Sequence, residues 1–293
     1  MAKRLLIFGG ILCVVAIGAW GLRAALTPAT PAVSSPLTER PVEDSYAPAM
    51  LLTADLTSEG ELTLSGTATP RSTVSLIVDG QPDQSLKIGV QPQWSLNTKL
   101  PPARIRRRVM QLRLSSVLSD DTVIESERGL IILTEPENFS QSLFMTAPGV
   151  ATRVLQSAFG DLPSRGPMTL EAIDFDDAGG VIVSGKADGP GRIRLQAGGT
   201  VIGETGPDAS GHWALIAGSV LPVGTYALRL QMIDGSNRVA AQMDVPFTRP
   251  QPDNAIIGEP RAVFSESRWT LTRPLSGGGV QHTVIYAPSA MQP

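Results

Sequence analysis

Apolar and polar positions alternate in short runs between residues 50 and 250, and the runs come in two matching sets. The first set reads LTLSGTATPRSTVSLIVDG, then QPQWSLNTKLPP, then LRL; the second reads VIVSGKADGPGRIRLQAGG, then SGHWALIAGSVLPVGTYALRL. Ser65-Gly66 matches Ser184-Gly185 and Trp94 matches Trp213 at one offset, 119 positions, as do Val74 and Leu76 with Ile193 and Leu195. The offset slips to 116 at Leu112-Arg113-Leu114 and Leu228-Arg229-Leu230, after three extra residues in a turn of the first copy. Spacing held this long, with length changes confined to turns, indicates a duplicated domain.

Within each copy the period is two. Arg192–Gln196 alternates polar and apolar, as a half-buried strand does, and so does Ala227–Met232. Gly179-Gly180, Gly198-Gly199, Asp208–Gly211 and Asp234-Gly235 punctuate the second copy with turns; Asp79-Gly80 and Asp120-Asp121 do so in the first. Seven or so short strands with a turn about every ten residues predict an antiparallel Ig-like β-sandwich. The run Pro222-Val-Gly-Thr-Tyr226 sets Tyr226 just after a turn, where its ring can enter the core and its hydroxyl return to the backbone. Met110 stands at that place in the first copy. The fold expected is all-β: two tandem Ig-like sandwiches at 50–135 and 168–250. Between them, connector 136–167 carries Val150, Val154, Leu155, Ala158 and Phe159 at helical spacing after Pro148, which predicts a short helix.

Leu5–Leu22 is an uncharged apolar run, preceded by Lys3 and Arg4 and followed by Arg23. It approaches the ~20 residues that cross a bilayer as a helix. Residues 1–23 thus read as a signal-anchor or as a cleaved signal peptide, and Trp20 within the small-x-small site favours retention. Lys3 and Arg4 stay on the cytoplasmic side, which places the bulk of the chain in the periplasm of a single-pass inner-membrane protein. Residues 24–49, rich in Pro, Ala, Ser and Thr without periodicity, read as an extended stalk.

Composition narrows the function classes. A net charge of −3 gives no electrostatic reason to expect nucleic acid as a partner. The one cysteine, Cys13, sits in the apolar run, so no intramolecular disulfide can form and each sandwich must rest on its own core. His212 and His282 have no companion at metal-ligand spacing, and no nucleophile elbow or phosphate loop is present. No enzyme activity, metal or cofactor is expected. Asp174-Phe-Asp176-Asp177 resembles a calcium loop, yet Gly185 stands where the bidentate Glu belongs, so it reads as a solvated turn. Arg104, Arg106, Arg107 and Arg108 form the densest charge run, a candidate contact for anionic cell-wall polymer or a charged edge that discourages strand pairing. Trp94 and Trp213 read as core residues ahead of carbohydrate platforms.

The second copy, with V-S-G-x-A, G-x-W-x-L and L-P-x-G-x-Y-x-L-R, resembles the Ig-like domain of alphaproteobacterial envelope proteins that carry an N-terminal anchor, a Pro-rich stalk, Ig-like repeats and a C-terminal LysM domain. In the tail, 251–293, Ser267-Arg-Trp269-Thr-Leu271-Thr-Arg273 and Thr283-Val-Ile285-Tyr286 are similar to the first half of a LysM module. Pro274 and Gly277–Gly279 fall where a helix should continue and the chain stops before a second strand, so the tail reads as a degenerate or truncated LysM or as a flexible segment. The resemblance implies association with peptidoglycan, with Trp269, Arg273 and Tyr286 as glycan contacts. The alternative is an interaction scaffold or accessory subunit docking on another envelope protein.

Overall fold

The first copy builds its sandwich from β1 (Met50–Leu56), β2 (Glu61–Thr67), β3 (Thr73–Val78), β4 (Gln81–Lys87), β5 (Gln93–Lys99), β6 (Val109–Val117), β7 (Val123–Glu125) and β8 (Gly129–Thr134). This is a computed structural model that describes residues 47–135, 140–252, 258–275 and 278–290. The expected anchor at 5–22 and most of the stalk lie outside them. Among the described residues no helix is long and apolar enough to cross a membrane.

One sheet has the order β1-β2-β5 and faces β8-β6-β3-β4. A short helix, α1 (Pro102–Ile105), connects β5 to β6. The alternation of β3 is complete: Val74, Leu76 and Val78 enter the core, and the residues between them do not.

The duplication is visible atom by atom. Gly66 on β2 lies opposite Trp94 on β5 in the strand ladder. A Cβ on Gly66 would meet the carbonyl oxygen of Met50 and come 2.7 Å from the Trp94 ring. Gly185 and Trp213 repeat this, with the carbonyl of Thr169 in place of Met50 and again 2.7 Å to the ring. Each tryptophan lies across a backbone that only glycine leaves bare, and both are buried, as expected.

The second copy runs through β9 (Gln141–Ala147) and β10 (Val150–Gln156), which precede it, then β11 (Ser164–Arg165), β12 (Met168–Asp176), β13 (Val181–Ala187), β14 (Arg192–Ala197), β15 (Thr200–Thr205), β16 (His212–Ile216), β17 (Gly224–Ile233) and β18 (Val239–Arg249). Its sandwich pairs β16-β13-β12 against β15-β14-β17-β18, the same plan as the first. Tyr226 packs against this core and its hydroxyl donates to the carbonyl of Pro222 at 2.7 Å, the corner foreseen in the sequence. Arg249, buried, donates to the carbonyls of Leu221 (2.7 Å) and Asp176 (2.8 Å), tying the turn after β12 to the loop before β17.

Two expectations are corrected. Among its described residues the connector holds no helix: Pro148 and Gly149 turn a hairpin between β9 and β10. Two irregularities in register, between Val150 and Arg153 and between Val154 and Gln156, break the alternation of β10. That is why its apolar residues fall at a spacing that imitates a helix. The described residues of the tail form neither a loose segment nor a helix pair. It forms β19 (Arg261–Ser265), β20 (Arg268–Pro274) and β21 (Val280–Tyr286), with β21 hydrogen-bonded to both β12 and β20. Pro274 ends a strand, and Gly278 and Gly279, at φ of +87° and +83°, close the β20–β21 hairpin.

These added strands join the halves. The β9–β10 hairpin extends the first copy's sheet beyond β8, and β19–β21 extend the second copy's sheet beyond β12. The two extensions face each other over a third core: Ile131, Leu133, Phe144 and Val154 from one side, Ala172, Ala262, Trp269, Leu271 and Ile285 from the other. β8 is buried on both faces, sending Leu130 and Ile132 into the first core and Ile131 and Leu133 into the middle one. Nine such side chains amount to on the order of 10 kcal/mol of apolar burial. The described residues from Ala47 onward accordingly form one compact unit.

Candidate functional site

The expected contact residues do not converge. Arg104 pairs with Asp83 and Arg107 with Asp79, each at 2.6 Å, so these two guanidinium groups are spent on their own sandwich. The carbonyl of Arg108 accepts from Thr134 N–H, and Arg106 is exposed. Asp79, Arg107, Gln111, Arg113 and Glu259 border a polar cleft of about 270 Å³.

Trp269, Arg273 and Tyr286 are each buried, which removes them as a surface platform. Trp269 fills the middle core. Tyr286 packs in the second core and donates its hydroxyl to the carbonyl of Pro246 at 2.7 Å; burial pushes the phenol above its usual range. Arg273 donates to the carbonyl of Ala147 on β9 and to Gln281 Oε1, both at 2.8 Å. It is a tether between the two extended sheets.

Around that tether lies the most concentrated polar chemistry of the molecule. Asp174, on β12, is buried between the sheets. Its Oδ2 accepts from the backbone N–H of Thr152 at 2.7 Å. Its Oδ1 accepts from the hydroxyls of Thr152 (2.7 Å) and Thr283 (2.6 Å). Burial raises the pKa of this carboxyl, and the hydrogen bonds and Arg273 oppose that rise. Burial also lowers the pKa of Arg273, against the pull of Asp174. Ser184 on β13 adds a hydroxyl bond to the carbonyl of Thr152 at 3.1 Å. The network stitches β10 of the first half to β12, β13 and β21 of the second, and fixes their register.

A second acid lies three residues away and is treated differently. Glu171 occupies the irregularity of β12 between Leu170 and Ala172, and only 1% of it is exposed. Lys186 Nζ stands 3.7 Å from its Oε1 and His212 Nδ1 stands 3.6 Å from its Oε2. Neither is a hydrogen bond in length. Glu171 Oε1, His212 Nδ1 and Arg153 Nε are buried without a hydrogen-bond partner. Burial raises the Glu171 pKa to about 7, with Lys186, Arg153 and the Val154 amide opposing. His212 is lowered by burial first, then by Arg153 and Lys186, while Asp208 acts the other way.

The sequence reading missed this cluster, since Arg153 reaches Glu171 only through the joint. One signal was available: residue 171 matches residue 52 at the 119-position offset, and the residues there are Glu and Leu. Asp174, Asp176 and Asp177 do not gather into a calcium loop, and among the described residues no group of three or more His, Cys, Asp or Glu could hold a metal.

No family model matches the chain, and no curated protein matches it. Among solved structures it is similar to the central fibronectin-III array of RIM-binding protein, at 12% identity, over 71% of this chain and 98% of that one, with a TM-score of 0.21. A likeness that distant carries no argument; the sandwiches rest on the strand pairing above.

Proposed function

We propose that this chain is a non-enzymatic scaffold of a bacterial envelope, held to the membrane by segment 5–22, that docks on another envelope protein. The observation that carries this reading is the middle core. Two flexibly linked sandwiches would sample many orientations; these two are fastened by nine apolar side chains and a buried hydrogen-bond network, which suits a part of fixed geometry. Among the described residues β16 and β19 lie at the ends of their sheet, and exposed edges are surfaces that protein partners read by strand addition. This reading is preferred to peptidoglycan association because Trp269, Arg273 and Tyr286, the expected glycan contacts of the tail, are buried.

The test uses the full-length chain in native membranes, with a photo-crosslinking residue at the exposed positions 90, 216 or 264 in turn. Crosslinking at one position to a single protein of constant size is expected. Co-sedimentation of the purified chain with isolated sacculi, together with no protein crosslink at any position, would overturn the scaffold reading in favour of cell-wall binding.

A further inference from the structure

The duplication supplies an internal control for the buried acid. Both copies carry the same irregularity in their first long strand, between Leu51 and Thr53 and between Leu170 and Ala172. The residue in the irregularity is Leu52 in the first copy, 48% exposed, and Glu171 in the second, 1% exposed. An apolar side chain faces water and an acid faces the interior, the reverse of what burial favours. Glu171 is covered because the joint covers it: β10 lies over β12 and β13 and brings Arg153 and the Val154 amide to the carboxyl.

We propose that Glu171, with Arg153, Lys186 and His212, is a proton-responsive clasp that holds the two halves together when protonated and loosens them when ionised. The groups that face it come from every element packed on it: Arg153 from β10, Lys186 from β13 and His212 from β16, with Asp208 behind His212. Asp174, three residues on, is held by three short hydrogen bonds and is also raised by burial, and it is left in place when Glu171 alone is changed.

The sign follows from linkage. A carboxyl with a pKa near 7 when the joint is closed, against 4.5 when it is solvated, binds its proton more tightly in the closed form. Glu171 therefore favours closure most below about pH 4.5, and that contribution is lost as pH rises to about 7. His212, lowered in the closed form, acts oppositely, favouring closure above its ordinary value of 6.5 and losing this as pH falls. Removing Glu171 alone leaves the His212 effect in place, so the comparison of variant with wild type isolates the acid.

The experiment is hydrogen exchange of the intact chain from pH 5.5 to 7.5, corrected for intrinsic exchange and read at segments 150–156 and 168–176. The variants are Glu171→Gln, which copies the neutral form, and Glu171→Leu, which copies position 52. Protection of these segments in wild type, divided by that in Glu171→Gln, is expected to fall about twentyfold over that range. Segments 73–78 and 192–197, in the outer cores, should show a constant ratio. Glu171→Leu should match Glu171→Gln in its pH profile. A ratio at the joint that stays constant within twofold, or an equal fall at the outer cores, overturns the clasp.

Discussion

The two halves share a frame and differ in what is attached to it. In each, a glycine on the second strand admits a tryptophan from the fifth, and the first long strand has the same irregularity. The first half then adds β9 and β10 to the sheet that ends in β8. The second adds β19–β21 to its other sheet, beside β12. Because the additions are on different sheets, their free faces meet and close the middle core. Duplication made two sandwiches; the segments that were not duplicated made one body.

The largest effect should come from removing the attachment. Deleting residues 258–293 takes Ala262, Trp269, Leu271 and Ile285 from the middle core and Val284 and Tyr286 from the second. At roughly 10 kcal/mol of apolar burial, that is comparable to the ~5–15 kcal/mol by which a domain is stable. The second half should lose its cooperative melt while the first keeps one, seen by calorimetry and by protection of 61–67 against 181–187. Two unchanged transitions would mean that the joint is ornamental.

Gly66→Ala and Gly185→Ala test the shared frame. Each Cβ would collide with a carbonyl oxygen and a tryptophan ring in the same geometry, so each should cost about 1–3 kcal/mol or somewhat more, and the two costs should be alike. Chemical denaturation of the two variants measures this. A cost at one position and none at the other would show that the copies have diverged in packing as well as in attachments.

The smallest expected effect concerns a difference inside the frame. Tyr226 bonds Pro222 through its hydroxyl, and the first half has buried Met110 at the matching place. Tyr226→Phe should cost about 0.5–1.5 kcal/mol, the net value of one hydrogen bond. A null result in a denaturant titration would assign the corner's role to the ring alone.

What the sequence made legible follows the same division. Strands with a period of two, such as 192–197 and 224–233, and turns marked by Gly or Asp, were readable because each rests on local chemistry. The hairpin at 141–156 was not, because its irregular register erased the alternation. In the tail, Pro274 and the glycines were correctly seen as incompatible with a helix, but the same residues serve a hairpin equally well. Trp269, Arg273 and Tyr286 looked like surface groups because nothing local revealed the opposing sheet. Glu171 needed that sheet too, since an acid in a strand normally faces water.

The pairing of β21 with β12 sets an order on synthesis. His282 lies beside Phe175 in the ladder, 107 positions later in the chain. A ribosome therefore delivers the first half, with Ile131, Leu133, Phe144 and Val154 uncovered on one face, long before the strands that shield them exist. Until β19–β21 emerge, the nascent chain carries an apolar sheet face with nowhere to put it, the kind of surface that recruits chaperones or aggregates. A chain that stopped before residue 261 would leave that face uncovered for good.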